Sequence, residues 1–434
     1  MVPFKEAARV WAKVAALSFG GPAGQIAVMQ RLIVDERRWI SHRRFLHALN
    51  YCMLLPGPEA QQLATYVGWL MHGWRGGLVA GGLFILPGFL SILAISLVYV
   101  VWGHVPLVEA LFYGIKPAVL AIVVHALVRI GRRALASPLL LSVAGLAFLA
   151  IFGFDVPFPA IIVAAALIGG LGARLGVASL RSTELTEDED PSPDPPAVPL
   201  RRTAAVTILW LAIWWLPVLA LALVAGGSVF VAEAIFFSKT AVVTFGGAYA
   251  VLAYIAQVAV EDFGWLAPGE MLDGLGMAET TPGPLIQVVQ FVGFMGAYRN
   301  PGGLDPLLAG VMGSVVTTWV TFAPCFLWIF AGAPYVERLR GRRALNSALA
   351  AITAAVVGVI LNLAVWFAVQ TLFGRTVGID RWGLKIDAPV WSTIDPLAAA
   401  IAVGAALALF RLRWGIPSTL AVAAGIGAVA RLLA

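Results

Sequence analysis

The chain has 434 residues, 60% of them hydrophobic and 12% charged, with a formal net charge of +6. A soluble globular domain carries roughly 25% charged residues. That deficit excludes a soluble fold and marks an all-α integral membrane protein, because charge-poor runs recur and strand-like alternation is absent. The positive charge is read loop by loop as orientation, not as a nucleic-acid surface. Cys52 and Cys325 stand outside any ligand-like cluster, so no metal site and no cofactor is expected. The N-terminus is amphipathic and lacks a small-residue cleavage site, so no signal peptide is expected.

Residues 4–18 read as a helix carrying Lys5, Arg9 and Lys13. Phe19-Gly20-Gly21-Pro22 breaks it, since glycine and proline disfavour a helix interior. A second short helix follows to Arg37. Residues 43–55 and 59–73 repeat this pattern about Pro56-Gly57-Pro58. A helix of about 15 residues covers roughly 22 Å, short of a ~30 Å hydrocarbon core. Each pair is one broken span or a re-entrant hairpin. Charge favours the hairpin, which puts Lys5, Arg9, Arg37, Arg38, Arg43 and Arg44 together on the cytoplasmic side.

Full spans are expected at about 77–103, 106–128, 139–154 and 157–173. An acidic, proline-rich stretch, 182–200, reads as a solvated disordered linker. One unpaired span, 203–227, then returns the chain to the outside. The organisation expected is a first repeat over 1–175, a linker over 176–202, a connecting helix over 203–227 and a second repeat over 231–434.

The second repeat copies the first. Thr244-Phe245-Gly246-Gly247, Trp265 and Pro282-Gly283-Pro284 follow Ser18-Phe19-Gly20-Gly21, Trp39 and Pro56-Gly57-Pro58 at a constant offset of 226 positions. Lys13 pairs with Lys239, and Gln61 with Gln287, in the same register. After an odd number of spans the second copy enters upside down. The loop matching Arg37–Arg44 agrees, because Phe263–Glu270 holds no lysine or arginine. Later spans are expected at about 304–330, 345–372, 393–410 and 416–433. Arg411 and Arg413 then fall on the cytoplasmic side, whereas Arg375, Arg381 and Lys385 fall outside, against the rule. The expected count is nine full spans with four hairpins, or thirteen segments if each hairpin crosses.

Inverted repeats with broken helices are the architecture of secondary transporters, with the site at the midplane. Half-helices that begin at Gly21, Pro58, Gly247 and Pro284 would aim free N–H groups at the membrane centre, which favours an anion. The candidate binding residues are Lys13, Ser18, Gly20, Gly21, Gly57 and Gln61, with Lys239, Thr244, Gly246, Gly247, Gly283 and Gln287. The prolines Pro56, Pro58, Pro282 and Pro284 are the helix-breaking hinges. Glu59 and Glu279 flank the two Pro-Gly-Pro turns and are candidates for a coupled proton. Lys116-Pro117 is a further candidate without a match in the second half. A glycine pair in a single membrane helix is ordinarily packing, and a terminal lysine ordinarily snorkels; it is the matched register that argues for function.

These motifs, with Leu86-Pro87-Gly88, resemble the chromate ion transporter family in its long two-domain form. The resemblance covers roughly 4–175 and 231–434. It implies export of chromate from the cytoplasm, chromate resistance, a cell-membrane location and no enzymatic activity. Sulfate is the chemical look-alike, and a homodimer is a compatible assembly. Where the first half has Leu86-Pro87-Gly88-Phe89, the second has Phe322-Ala323-Pro324-Cys325-Phe326, which departs from strict two-fold equivalence. The competing readings are a transporter of sulfate or a small carboxylate, an anion channel, and a membrane enzyme acting on a phosphorylated lipid. The last would need clustered acids or histidines, and all five histidines lie in the first half.

Overall fold

A computed structural model describes residues 2–19, 21–176, 199–245, 248–335, 343–381 and 384–433. The greater part of the expected linker, 177–198, lies outside the described residues. The chain is helical almost throughout, as its charge-poor composition requires.

The first half opens with α1 (Phe4–Ala16) and α2 (Gly21–Met29), the latter continuing as a π-helical segment, Gln30–Glu36. Next come α3 (His42–Leu54) and α4 (Glu59–Trp102). Helix α4 has two limbs, because His72 and Gly73 leave helical geometry inside it. The short limb, 59–71, folds back on the long one. Gly68 and Gly76 make that fold possible, since a Cβ on either would strike the carbonyl of the other. Helices α5 (Pro106–Ala134), α6 (Pro138–Phe154) and α7 (Phe158–Arg174) complete this half.

Helix α8 (Leu200–Val224) connects the halves. It buries little beyond Trp214 and Val218, and leaves Leu209, Leu216, Leu219 and Leu223 exposed. Such an apolar exterior belongs in lipid, not in water. The second half follows as α9 (Val229–Val243), α10 (Ala248–Gln257) with a π-helical segment Val258–Asp262, α11 (Glu270–Thr280), α12 (Val288–Arg299) and α13 (Pro306–Gly332). Helices α14 (Arg343–Leu372), α15 (Pro396–Phe410) and α16 (Ile416–Leu433) end the chain. The two π-helical segments end at Glu36 and Asp262, which are matched positions.

Among the described residues, six helices are long and apolar enough to cross a membrane, and α6, α7 and α15 are shorter apolar helices. The chain is therefore a multi-pass integral membrane protein. Its spans interlock across the halves through small residues, as membrane helices do where backbones approach closely. Gly114 of α5 packs on Ala423 and Gly427 of α16, and Gly169 of α7 on Ser347 and Ala348 of α14.

One element has no counterpart in the sequence reading. Residues around Arg375, Arg381 and Lys385 form an antiparallel ribbon, β1 (Thr376–Arg381) with β2 (Leu384–Pro389), in which Gly378 opposes Asp387. An open two-stranded ribbon leaves edge groups that lipid cannot satisfy, so it lies outside the hydrocarbon.

Candidate functional site

The ends of the short helices fix how the hairpins run. Arg37 Nη1 lies 2.7 Å from Glu6 Oε1, which joins the start of α1 to the end of the π-helical segment. The ring Nε2 of His72 lies 2.8 Å from the Val2 carbonyl, bringing the end of the short α4 limb to the same place. These three first-half helix ends thus share one face. In the second half, Arg299 at the end of α12 makes two 2.8 Å bonds to the Glu270 carboxylate and donates to the Trp265 carbonyl at 2.8 Å.

The tips meet across the halves. The Gly57 N–H donates to the Thr244 carbonyl at 2.8 Å, and the Gly283 N–H donates to the Ser18 carbonyl at 2.9 Å. Shifting the first bond by the repeat offset gives the second. Both glycines hold left-handed backbones, φ 120° for Gly57 and 115° for Gly283, which glycine adopts and other residues resist. Each break leaves a carbonyl without its helical partner, and the other half's turn supplies the donor.

The departure at Gly88 and Cys325 also finds its reason here. The Gly283 turn sits directly on Gly88, where a Cβ would fall 2.9 Å from the Pro282 carbonyl. The Gly57 turn sits on Cys325, where a Cβ at Gly57 would come within 3.0 Å of the sulfur. Each Pro-Gly-Pro turn thus rests on the matching segment of the opposite half. One contact is backbone to backbone and demands glycine, while the other meets a thiol.

Around these tips lies a buried polar centre. Ser18, Gln25, Gln61, Gln62, Thr65, Thr244, Gln287 and Gln290 are all fully buried. The hydroxyls of Ser18 and Thr244 each donate at 2.6 Å to the carbonyl four residues earlier, Val14 and Thr240. Gln61 donates to Thr65 at 3.0 Å, and Gln287 donates to Gln290 at 2.7 Å and to Thr318 at 3.1 Å. Gln25 donates to the Gly283 carbonyl at 2.5 Å and Gln62 to the Pro56 carbonyl at 2.7 Å. The amide oxygens of Gln25, Gln61, Gln62 and Gln287 are left without a partner. Rotating an amide by half a turn exchanges its oxygen for an N–H₂ group, but for Gln25 and Gln62 that would set oxygen against the Gly283 and Pro56 carbonyls.

The remaining sequence candidates fall in different places. Lys13 and Lys239 occupy matched positions on exposed faces of α1 and α9, outside the buried centre. Gly21 is the first residue of α2, with φ 70°. Gly20, Gly246 and Gly247 lie outside the described residues. Glu59 begins α4 and is partly exposed, whereas Glu279 is buried and accepts a hydrogen bond from Tyr249. Lys116 reaches the second half, with Nζ 3.2 Å from Asp273 Oδ2, and the Tyr99 hydroxyl donates to the same oxygen at 3.0 Å.

A cavity of about 420 Å³ opens beside the first break, lined by Phe19, His125, Arg413 and Trp414 among others. Sequence reasoning missed Gln25, Gln62 and Tyr249 because it weighed matched pairs. Their counterparts are Val251, Val288 and Ala23.

The family described as "Chromate transporter" matches residues 5–170 and 231–429. A "Chromate transport protein" of Pseudomonas aeruginosa is 34% identical over 358 residues, 80% of this chain and 77% of that protein. A "Probable chromate transport protein" of Synechococcus elongatus is 27% identical over 411 residues, 92% of this chain and 95% of that one. The "Chromate transport protein" of Cupriavidus metallidurans is 26% identical over 362 residues, covering 83% and 81%. No solved structure matches the chain. The chain belongs to the chromate transporter family.

Proposed function

We propose that the protein is a secondary transporter that carries chromate out of the cytoplasm through the centre where the four hairpin tips meet. The observation that carries this reading is the reciprocal pair of bonds, Gly57 to Thr244 and Gly283 to Ser18. It ties the broken helices of both halves into one unit at the place where their N-termini converge. In the inverted arrangement the two halves rock about that unit and expose it to each side in turn.

Chromate is a tetrahedral dianion. Helix N-termini supply N–H groups and a partial positive charge of roughly +0.5 each. The amides of Gln61 and Gln287 rotate to donate to two of its oxygens. Lys13 and Lys239 stand at the outer approaches, one on each half. On the cytoplasmic side, Lys5, Arg9 and Lys13 form an exposed basic stripe along α1, and the cavity at Phe19 presents Arg413 and His125. This asymmetry concentrates anions at the inner entrance, which suits export.

The membrane potential is a sufficient driving force. One charge moved through 100 mV is worth about 2.3 kcal/mol, so a dianion leaving a negative-inside cell gains roughly 4.6 kcal/mol. That sustains a gradient of more than about a thousandfold. The test is chromate flux in sealed vesicles holding the purified protein, with potential and pH gradient imposed separately and sulfate as competitor. Saturable flux that follows the potential supports the reading. Sulfate flux without chromate flux changes the substrate, currents far above carrier rates make it a channel, and no anion flux overturns the central site.

A further inference from the structure

Three carboxyl side chains are fully buried among the described residues: Glu233, Asp273 and Glu279. Asp273 has Lys116 and Tyr99, and Glu279 has Tyr249. Glu233 stands apart, because neither of its carboxyl oxygens has a hydrogen-bond partner. It lies one turn into α9, where that helix packs on α12 and α13.

The surroundings of Glu233 are shaped to hold it. Its two oxygens sit against two glycines. A Cβ at Gly296 would fall 2.8 Å from Oε1, and a Cβ at Gly313 would fall 3.1 Å from Oε2. The indole of Trp265 closes the same space, 2.9 Å from that Gly296 position. The first half does not repeat this cradle in full. At the matched first-half positions Glu233 is replaced by Ala7 and Gly296 by Leu70. The carboxyl group and one of its two glycines are thus both missing at the matched positions, although Trp39 matches Trp265. Packing alone gives no reason to put an acid there.

Among the described residues, the neighbouring elements offer it no charge partner. On α12, Arg299 is committed to Glu270 and the Trp265 carbonyl. On α13, Asp305 caps its own helix and Thr317 donates to the Gly313 carbonyl. On α8, Trp214 donates to Ser238, and on α10 the Tyr254 ring lies against Phe236. A metal cation would need several oxygen ligands, and the cradle walls are two glycines and an indole. A carboxylate without donors in an apolar site is very costly, and a proton removes that cost. The chemistry of the site is thus that of a single exchangeable proton.

We propose that Glu233 is the group that takes up and releases a proton as the anion crosses. This rests on the transport reading above and extends it to an anion–proton exchanger. Trp265 covers Glu233, and Arg299 tethers Trp265 through its backbone carbonyl. Release of that tether as the halves rock would open the carboxyl group to the side where the second-half hairpins begin. The proton would enter there as the dianion leaves.

The test uses the full chain in vesicles loaded with chromate at alkaline pH, with the potential clamped and a pH indicator inside. The wild type is expected to move protons against the chromate flux. Glu233→Gln is expected to lose the proton movement entirely, and Glu233→Asp to keep it. Chromate flux without proton movement in the wild type overturns the proposal, and so does an unchanged proton-to-chromate ratio in Glu233→Gln. A second readout is independent of transport. Infrared difference spectra of the wild-type protein on a pH step should contain a buried carboxyl band, and folded Glu233→Gln should lose the Glu233 share of it while any from Asp273 and Glu279 remains; an unchanged spectrum in that variant overturns the proposal. No such band in the wild type overturns the proposal. Absence of all chromate flux with the band present instead overturns the transport reading and leaves the proton site standing.

Discussion

Lys116 Nζ lies 3.2 Å from Asp273 Oδ2, and this ion pair joins a span of the first half to a hairpin of the second. Asp273 is almost fully buried, while Lys116 is one-third exposed. Removing one partner of a buried pair leaves an uncompensated charge, at a cost of roughly 3 kcal/mol or more. Lys116→Ala is expected to lower the melting temperature of the purified protein markedly. Adding Asp273→Ala should recover part of that loss, and a double-mutant cycle should show coupling of about 1 kcal/mol or more. Strict additivity would mean the pair does not tie the halves together.

Gly57→Ala and Gly283→Ala place a side chain on backbones at φ 120° and 115°. Strain of that kind costs on the order of 1–3 kcal/mol. The two should differ in severity. Alanine at Gly57 meets the flexible end of Gln62 and the Cys325 thiol, whereas alanine at Gly283 meets the backbone of Gly88. Chromate flux at matched expression should therefore fall further in Gly283→Ala. Equal flux in both would detach the turns from the transport centre.

Gln61→Ala and Gln287→Ala each remove one amide donor from the centre. A hydrogen bond to a charged group is worth about 1.5–3 kcal/mol, so the apparent affinity for chromate should fall by roughly 10- to 100-fold in either variant. The saturation curve of chromate flux measures this. An unchanged curve in both would place the anion elsewhere.

Lys13→Ala and Lys239→Ala should each slow transport without loss of folded protein, because both lysines lie on exposed faces. Their contribution is long-range attraction, so the defect should shrink as ionic strength rises and the Debye length falls from about 10 Å at 0.1 M to about 3 Å at 1 M. A salt-independent defect would argue for direct contact with the anion instead.

The topology is tested by labelling. Arg44 and Ala267 are exposed and lie near the starts of the second hairpins of the two halves, three residues from exact register. The native thiols, Cys52 and Cys325, are buried. A membrane-impermeant thiol reagent applied outside should label Ala267→Cys and leave Arg44→Cys untouched until the membrane is opened. Labelling of both from one side would rule out the inverted arrangement.

The sequence by itself determined the membrane class, the helical content and the repeat. Each is written in local chemistry: charge depletion, run length, and rare glycine and proline motifs held at a fixed offset. It also located the breaks, since Gly-Gly-Pro and Pro-Gly-Pro cannot continue a helix wherever the rest of the chain goes. Matching two copies, however, brought out only residues that occur twice. Gln25, Gln62, Tyr249 and Glu233 have apolar counterparts and stayed invisible, as did the partner of Lys116. Only the tertiary structure decided which carbonyl each turn glycine would satisfy. It also decided that Gly88 exists to admit the Gly283 backbone, and that the two lysines face outward. Those outcomes depend on contacts between residues more than 150 positions apart in the chain, as with Lys116 and Asp273 or Gly57 and Thr244. No local pattern encodes them, because a helix face becomes inside or outside only when a neighbour packs against it.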